Sequence, residues 1–464
     1  MKRKMSDFLC SWIHNKSRKP IIIRGARQVG KTWLVHDLAN RTHKKLIEIN
    51  FERNPNFASL FYSNDPKKIL FAIEISLNIT IDITDSILFL DEIQAAPQIF
   101  AKLRWFAEEL PELPIVAAGS LLEFVLDEYE FSMPVGRISY LHLEPMSFQE
   151  FLLALGQNKL YDFLHNYVLD AIIPQPIHER LLELLREYCI VGGMPAAVAS
   201  WAHEHLLEKV NQIHHDLLAT YRDDFAKYRG KIASVRLEEI LNAIPKLLGQ
   251  KFKYSKVNPE IAATSIKRAL DLLCKAQLCY KVNNSTGNGI PLGAEVRGRA
   301  YKIVFLDIGL VSALLGLGLQ NISAMNDTPF ANQGKLTEQL AGQLLRTLRP
   351  YYQEPILYYW LREQPGSSSE VDYLIQHEGK VVPIEVKSGS TGALKALHIF
   401  MGLKKHRVAM RINTDYPSIT NVQTKIYDKT EVTYQLISIP LYLTEQINQL
   451  LCSIEKNIKV GKDL

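Results

Sequence analysis

Ile21-Ile22-Ile23-Arg24 runs directly into Gly25-Ala26-Arg27-Gln28-Val29-Gly30-Lys31-Thr32, and a helical pattern follows. No other stretch limits the fold as tightly. Glycine at both ends lets such a loop curl until its backbone N–H groups point inward, beside a helix N-terminus that favours negative charge. Gly25, Ala26, Arg27, Gln28, Val29, Gly30, Lys31 and Thr32 therefore read as a cradle for the phosphates of ATP. Lys31 would set a positive charge on the β- and γ-phosphates, and Thr32 would offer its hydroxyl to Mg²⁺.

A second element supports the first. Ser86-Ile87-Leu88-Phe89-Leu90 is an apolar strand that ends in Asp91-Glu92. In a P-loop enzyme the first acid holds Mg²⁺ and joins the nucleotide site, while the adjacent Glu92 polarises the attacking water. Capping of the next helix is the competing reading of this acidic pair. Ile115–Ala118 is the next strand, and Ser120 after it is placed to sense the γ-phosphate, unless it simply caps the following helix. Arg137, in Pro134-Val135-Gly136-Arg137, is either an arginine that stabilises the transferring phosphate, in cis or from a neighbouring subunit, or an ordinary surface arginine.

Around these motifs the first 146 residues alternate short apolar strands (Ile21–Ile23, Leu46–Asn50, Ile87–Leu90, Ile115–Ala118) with helical segments. That alternation predicts a parallel sheet wrapped by helices. Residues 147–230 are helical by periodicity, with a corner at Gly192-Gly193-Met194-Pro195. Over 231–320, two helices precede strands at Cys279–Val282 and Lys302–Leu306, the order of a winged-helix-like module and also of unrelated α+β modules. Lys251, Lys253, Lys256, Lys267, Lys275, Arg297 and Arg299 give that module a basic bias suited to phosphate contacts. Asn321–Thr328 reads as a linker, and 329–464 as a further α/β domain.

In that last domain the strand Glu370–Ile375 and the strand Val381–Lys387 flank a Glu378-Gly379-Lys380 turn. A hairpin brings Asp372 near Glu385, and Glu385 shares a face with Lys387 because they are two residues apart. Two carboxylates and a lysine on one face suit metal-assisted phosphodiester hydrolysis, with Asp372 and Glu385 on Mg²⁺ and Lys387 on the attacking water. Glu338, in the preceding helix, would add a third carboxylate to the metal. A solvated strand ending Glu-Val-Lys is the plainer alternative.

GARQVGKT, LFLDEIQ, AAGS, VGR and EPMSFQEFL, in that order, resemble a family of prokaryotic AAA-like P-loop ATPases that carry a C-terminal domain of uncharacterised function. GGMP and Tyr221-Arg222-Asp223-Asp224-Phe225 extend the resemblance along nearly the whole chain. Asp372, Glu385 and Lys387, in D-x12-E-x-K, resemble the PD-(D/E)XK nuclease superfamily, and the upstream Glu338 fits that pattern. The resemblance implies an AAA-like P-loop core, a helical domain, a winged-helix-like module and a restriction-endonuclease-like α/β domain. It implies ATP hydrolysis with ATP and Mg²⁺, coupled to an action on DNA. The alternative is a nucleotide-controlled switch whose C-terminal domain docks a protein or nucleic-acid partner without cutting. Self-assembly into a homo-oligomer is left open.

With 47% apolar and 22% charged residues, the 464-residue chain can bury several cores, and its net charge of +5 does not by itself call for nucleic acid. Five scattered cysteines lack metal-ligand spacing and suit a reducing compartment. No apolar stretch reaches the roughly 18 residues a membrane helix needs, and the basic N-terminus lacks the apolar core of a signal peptide. The expectation is a cytoplasmic protein without a membrane partner.

Overall fold

The computed structural model describes residues 1–124, 134, 136–227, 234–317, 333–364, 367–389, 393–427 and 429–460. The linker expected over 321–328 lies outside them. The chain divides into two compact units: Met1–Met146 with the short segments Lys275–Gln277 and Pro350–Glu354, and the remainder.

The first unit is built on five parallel strands: β1 (Ile21–Arg24), β2 (Lys45–Asn50), β3 (Ser86–Asp91), β4 (Ile115–Ala118) and β5 (Ser139–His142). Their order is β2-β3-β4-β1-β5. All residues of β3 and β4 are buried, as expected of central strands covered on both faces. The edge strand β5, with sequence Ser-Tyr-Leu-His, was not anticipated: at an edge only Leu141 is buried, so no apolar run marks it. Asp65 caps the Pro66–Leu77 helix by accepting from the Lys67 N–H at 2.9 Å, and Ile69, Leu70 and Ile73 of that helix enter the core against the sheet.

The second unit begins with helices. The capping box of Ser147 and Glu150 starts the Phe148–Ala154 helix, which gives the SFQE part of the sequence pattern a local structural role. At the Gly192-Gly193 corner, between the Gln175–Val191 and Pro195–Glu204 helices, Gly193 N–H donates to the buried Asp307 Oδ2 at 2.6 Å. Gly192 has φ +70°, and a Cβ there would collide with Asp307 Oδ1.

A mixed eight-stranded sheet completes the unit, in the order β12-β13-β11-β10-β9-β8-β6-β7. Its strands are β6 (Cys279–Ser285), β7 (Val296–Phe305), β8 (Leu357–Gln364), β9 (Ser367–His377), β10 (Lys380–Val386), β11 (Val408–Asn413), β12 (Ser418–Lys425) and β13 (Glu431–Pro440). The hairpin expected as a wing is β6–β7, and it is part of this sheet: β6 pairs parallel with β8. The boundary expected near residue 320 therefore passes between two strands of one sheet. Mainchain pairing across that point overrides the sequence distance between them. The Gln333–Arg346 helix is fastened to β7 by Gln339, which accepts from Phe305 N–H at 2.8 Å and donates to its carbonyl at 2.9 Å. Among the described residues, no helix is long and apolar enough to cross a membrane.

Candidate functional sites

In the first unit the strand order sets β4 between β1, which feeds the loop, and β3, which carries the acids. The Lys31–Thr42 helix starts directly behind the loop, with Gly30 at φ 95° and Gln28 at φ 68° shaping the curl. Gly25 has no room for a side chain, since a Cβ would lie 2.5 Å from the Leu143 carbonyl oxygen. Lys31 is buried, and its ammonium donates to the carbonyls of Gly25 at 3.1 Å and Ala26 at 2.9 Å. Burial lowers its pKa to about 8, against the opposing pull of Glu92 and Asp91. Asp91 ends β3 with its carboxylate 3.3 Å from Thr32 Oγ1, and burial together with the charges of Glu92 and Glu48 lifts it to about 6. A hydroxyl and a carboxylate facing each other are hard oxygen donors, so this pair fits Mg²⁺.

Glu92 lies just beyond β3 at φ 51°, and its Oε2 accepts from Gln94 Nε2 at 2.5 Å. Ser120 is buried two residues past β4. Arg137 is half exposed and donates to Glu108 Oε1 at 2.7 Å. Glu92, Asp91 and Arg27 act on the Lys31 charge.

In the second unit, β9 and β10 pair antiparallel and bring Asp372 to the end of β10, where Asp372 Oδ2 accepts from the Val386 N–H at 2.7 Å. Between the pairs Tyr358–Leu374 and Trp360–Val371 the β8–β9 register slips, giving β9 one extra residue beside Asp372. Lys387 Nζ lies 2.7 Å from Glu385 Oε1. Glu385 Oε2 is buried and has no hydrogen-bond partner among the described residues. Such an orphaned oxygen beside Asp372 fits a divalent cation. Burial and the charge of Asp372 push Glu385 up to about 8.

Glu338, expected as a third metal ligand, is engaged otherwise: its Oε1 accepts from Lys302 Nζ at 2.5 Å. Lys302 also reaches Glu370 Oε1 at 3.0 Å and lies 3.8 Å from Asp372 Oδ1. Of the basic residues expected to meet phosphate, Lys251 pairs with Glu363 at 2.7 Å and Lys256 donates to Gln250. The side chain of Arg299 lies outside the described residues.

Residues 17–152 match the family model of an AAA domain. The chain carries an AAA-type ATPase domain. Residues 182–321 and 333–442 match two domains of unknown function, DUF8612 and DUF4143. No curated protein matches the sequence. Among solved structures, the ORC2 protein of Aeropyrum pernix aligns with a TM-score of 0.39 and 14% identity, over 70% of this chain and 95% of its own. The RuvB Holliday junction branch migration motor of Thermotoga maritima aligns with a TM-score of 0.28 and 13% identity, over 61% and 90% respectively. The STAND protein PH0952 of Pyrococcus horikoshii gives a TM-score of 0.25 and 14% identity, over 75% of this chain and 46% of its own.

Three residues of the first unit escaped the sequence reading. Asn50 ends β2 opposite Asp91 and donates to its Oδ2 at 3.1 Å. A polar residue closing the strand next to the acidic one was the available signal. Gln94 holds Glu92, and a Cβ on Gly119 would run into the side-chain Oε1 of Gln94 and crowd Leu122, so the glycine before Ser120 is there for space. Arg3, buried at the start of the Lys4–Ile13 helix, donates to the carbonyls of Val29 at 2.9 Å and Glu144 at 2.7 Å. These two acceptors are backbone atoms, which no sequence pattern announces.

Proposed function

We propose that this chain hydrolyses ATP at the AAA domain and couples the cycle to a nuclease-like C-terminal site that acts on DNA. The observation that carries the first half is the meeting of Lys31, Thr32, Asp91 and Glu92 at the ends of β1 and β3. Thr32 and Asp91 would hold Mg²⁺, which would supply positive charge against the phosphates. Lys31 would exchange the Gly25 and Ala26 carbonyls for the β- and γ-phosphates. Glu92 would leave Gln94 to orient the attacking water, and Ser120 would contact the γ-phosphate. Arg137 would serve the transferring phosphate only after releasing Glu108.

Support for the second half comes from Asp372, Glu385 and Lys387 at adjoining strand ends. Asp372 and Glu385 would hold a divalent ion supplying Lewis-acid chemistry to a phosphodiester, and Lys387 would orient water. The occupation of Glu338 by Lys302 favours a second reading, in which the domain binds a partner under nucleotide control and does not cut. Plasmid integrity with Mg²⁺ or Mn²⁺, followed alongside phosphate release for the wild type, Lys31→Ala and Asp372→Ala, separates them. Cleavage lost in Asp372→Ala with turnover kept supports the nuclease. Turnover without cleavage in any chain supports the switch, and absence of turnover with and without DNA rejects the ATPase.

A further inference from the structure

Lys302 is one of the most deeply buried charges in the second unit, with a side chain only 1% exposed. Its ammonium contacts Glu338 and Glu370 and faces Asp372, at 2.5, 3.0 and 3.8 Å. The rings of Tyr359 and Tyr373 lie over it, with centroids 5.0 and 5.3 Å away. One oxygen from each of the three carboxylates lies within 4.8 Å of the others, a spacing that could hold a metal ion. An ammonium stands where that ion would sit. Its N–H groups donate to Glu338 and Glu370 while Asp372 stays at ion-pair distance, and a divalent ion at the same seat would meet the lysine charge at contact distance in a dry environment.

The neighbouring groups on this face point the same way. Glu338, Glu370, Asp372 and Glu385 bring four carboxyl groups to this face, beside the ammonium groups of Lys302 and Lys387. Of these groups, Glu385 keeps one buried oxygen, Oε2, with no hydrogen-bond partner among the described residues. Lys302 comes from β7, outside the 333–442 segment that contains the carboxylates, so the cation is supplied by the preceding part of the chain.

We propose that Lys302 is a built-in cation that closes the Glu338–Glu370–Asp372 seat to metal, so that this face takes a single divalent ion, between Asp372 and Glu385. The second clause rests on the reading of Asp372 and Glu385 given above; the first does not. Lys302 is thus a specificity-determining residue for metal number.

The test is Mn²⁺ binding to the full chain without nucleotide, counted by electron paramagnetic resonance in parallel with the Asp372→Asn chain. One ion is expected in the wild type beyond those Asp372→Asn retains, and Glu370→Gln leaves that number unchanged. Lys302→Met, which keeps the length and removes the charge, gains one further ion, and adding Glu370→Gln removes it again. A folded Lys302→Met chain that gains nothing overturns the built-in cation. So does loss of the wild-type ion in Glu370→Gln alone, a comparison that holds even where Lys302→Met does not fold. A wild type with no ion lost in Asp372→Asn, together with a gain in Lys302→Met, overturns the Asp372–Glu385 seat and retains Lys302 as the cation.

Discussion

The side-chain amide of Asn50 donates to Asp91 Oδ2 at 3.1 Å, across the parallel pair of β2 and β3. Asn50 is itself fixed, because its Oδ1 accepts from the N–H groups of Glu52 and Arg53 at 3.1 and 2.8 Å. It therefore aims the carboxylate that faces Thr32. A hydrogen bond to a charged group contributes about 1.5–3 kcal/mol, so Asn50→Ala should slow phosphate release about tenfold or more. Steady-state turnover beside nucleotide titration checks this, and an unchanged rate would remove Asn50 from the site.

Asp91 titrates at about 6 in the fold because burial and its acidic neighbours disfavour the charge. An unfolded aspartate titrates near about 3.9. The folded chain thus holds the extra proton between these values. The stability carried by protonated Asp91 is complete below about pH 4 and is lost as pH rises through about 6. Mg²⁺–nucleotide needs the ionised form, so its affinity should move the other way and weaken as pH falls through about 6. Binding measured at pH 5, 6 and 7 should show the trend in the wild type, and Asp91→Asn should flatten it.

Arg3 ties the phosphate loop, through the Val29 carbonyl, to the carbonyl of Glu144. Arg3→Ala would leave the loop to reorder on each binding event, and loss of charged hydrogen bonds of about 1.5–3 kcal/mol predicts nucleotide affinity weaker by roughly tenfold. Fluorescent-nucleotide titration reads this directly. Arg3→Lys should recover only part, since an ammonium lacks the guanidinium fork that spans both carbonyls.

Asp307 accepts from the backbone N–H groups of Gly193, Gly309 and Leu310 and from Gln343, all in the interior. Asp307→Ala strands these donors, at about 1–3 kcal/mol each where no water replaces the acceptor. Gly192→Ala meets both a positive φ and the Asp307 carboxylate, and should destabilise by about 2–4 kcal/mol. Denaturant unfolding should place both variants well below the wild type. Gly334→Ala, with open space around it, should lie close to the wild type.

The phosphate loop, the acidic strand end and the four apolar strands of the first sheet were legible in residue order, because each is a local pattern of burial or turn chemistry. The spacing of Asp372, Glu385 and Lys387 was legible for the same reason: a hairpin converts sequence distance directly into spatial distance. β5 was not, since half-exposed edge residues leave no apolar run, and neither was the entry of β6 and β7 into the larger sheet.

What remained for the tertiary structure to decide was which distant groups fill the space around those local patterns. Asn50 and Arg3 reach the nucleotide site from outside its motifs, through a strand pairing and through backbone carbonyls. Lys302 reaches Glu338, Glu370 and Asp372 because β6 pairs with β8 and carries β7 to the edge of the same sheet. Local sequence specified the carboxylates; long-range mainchain pairing selected the cation that meets them. A buried charge must find its partner wherever packing leaves one, and no rule of sequence spacing governs that choice.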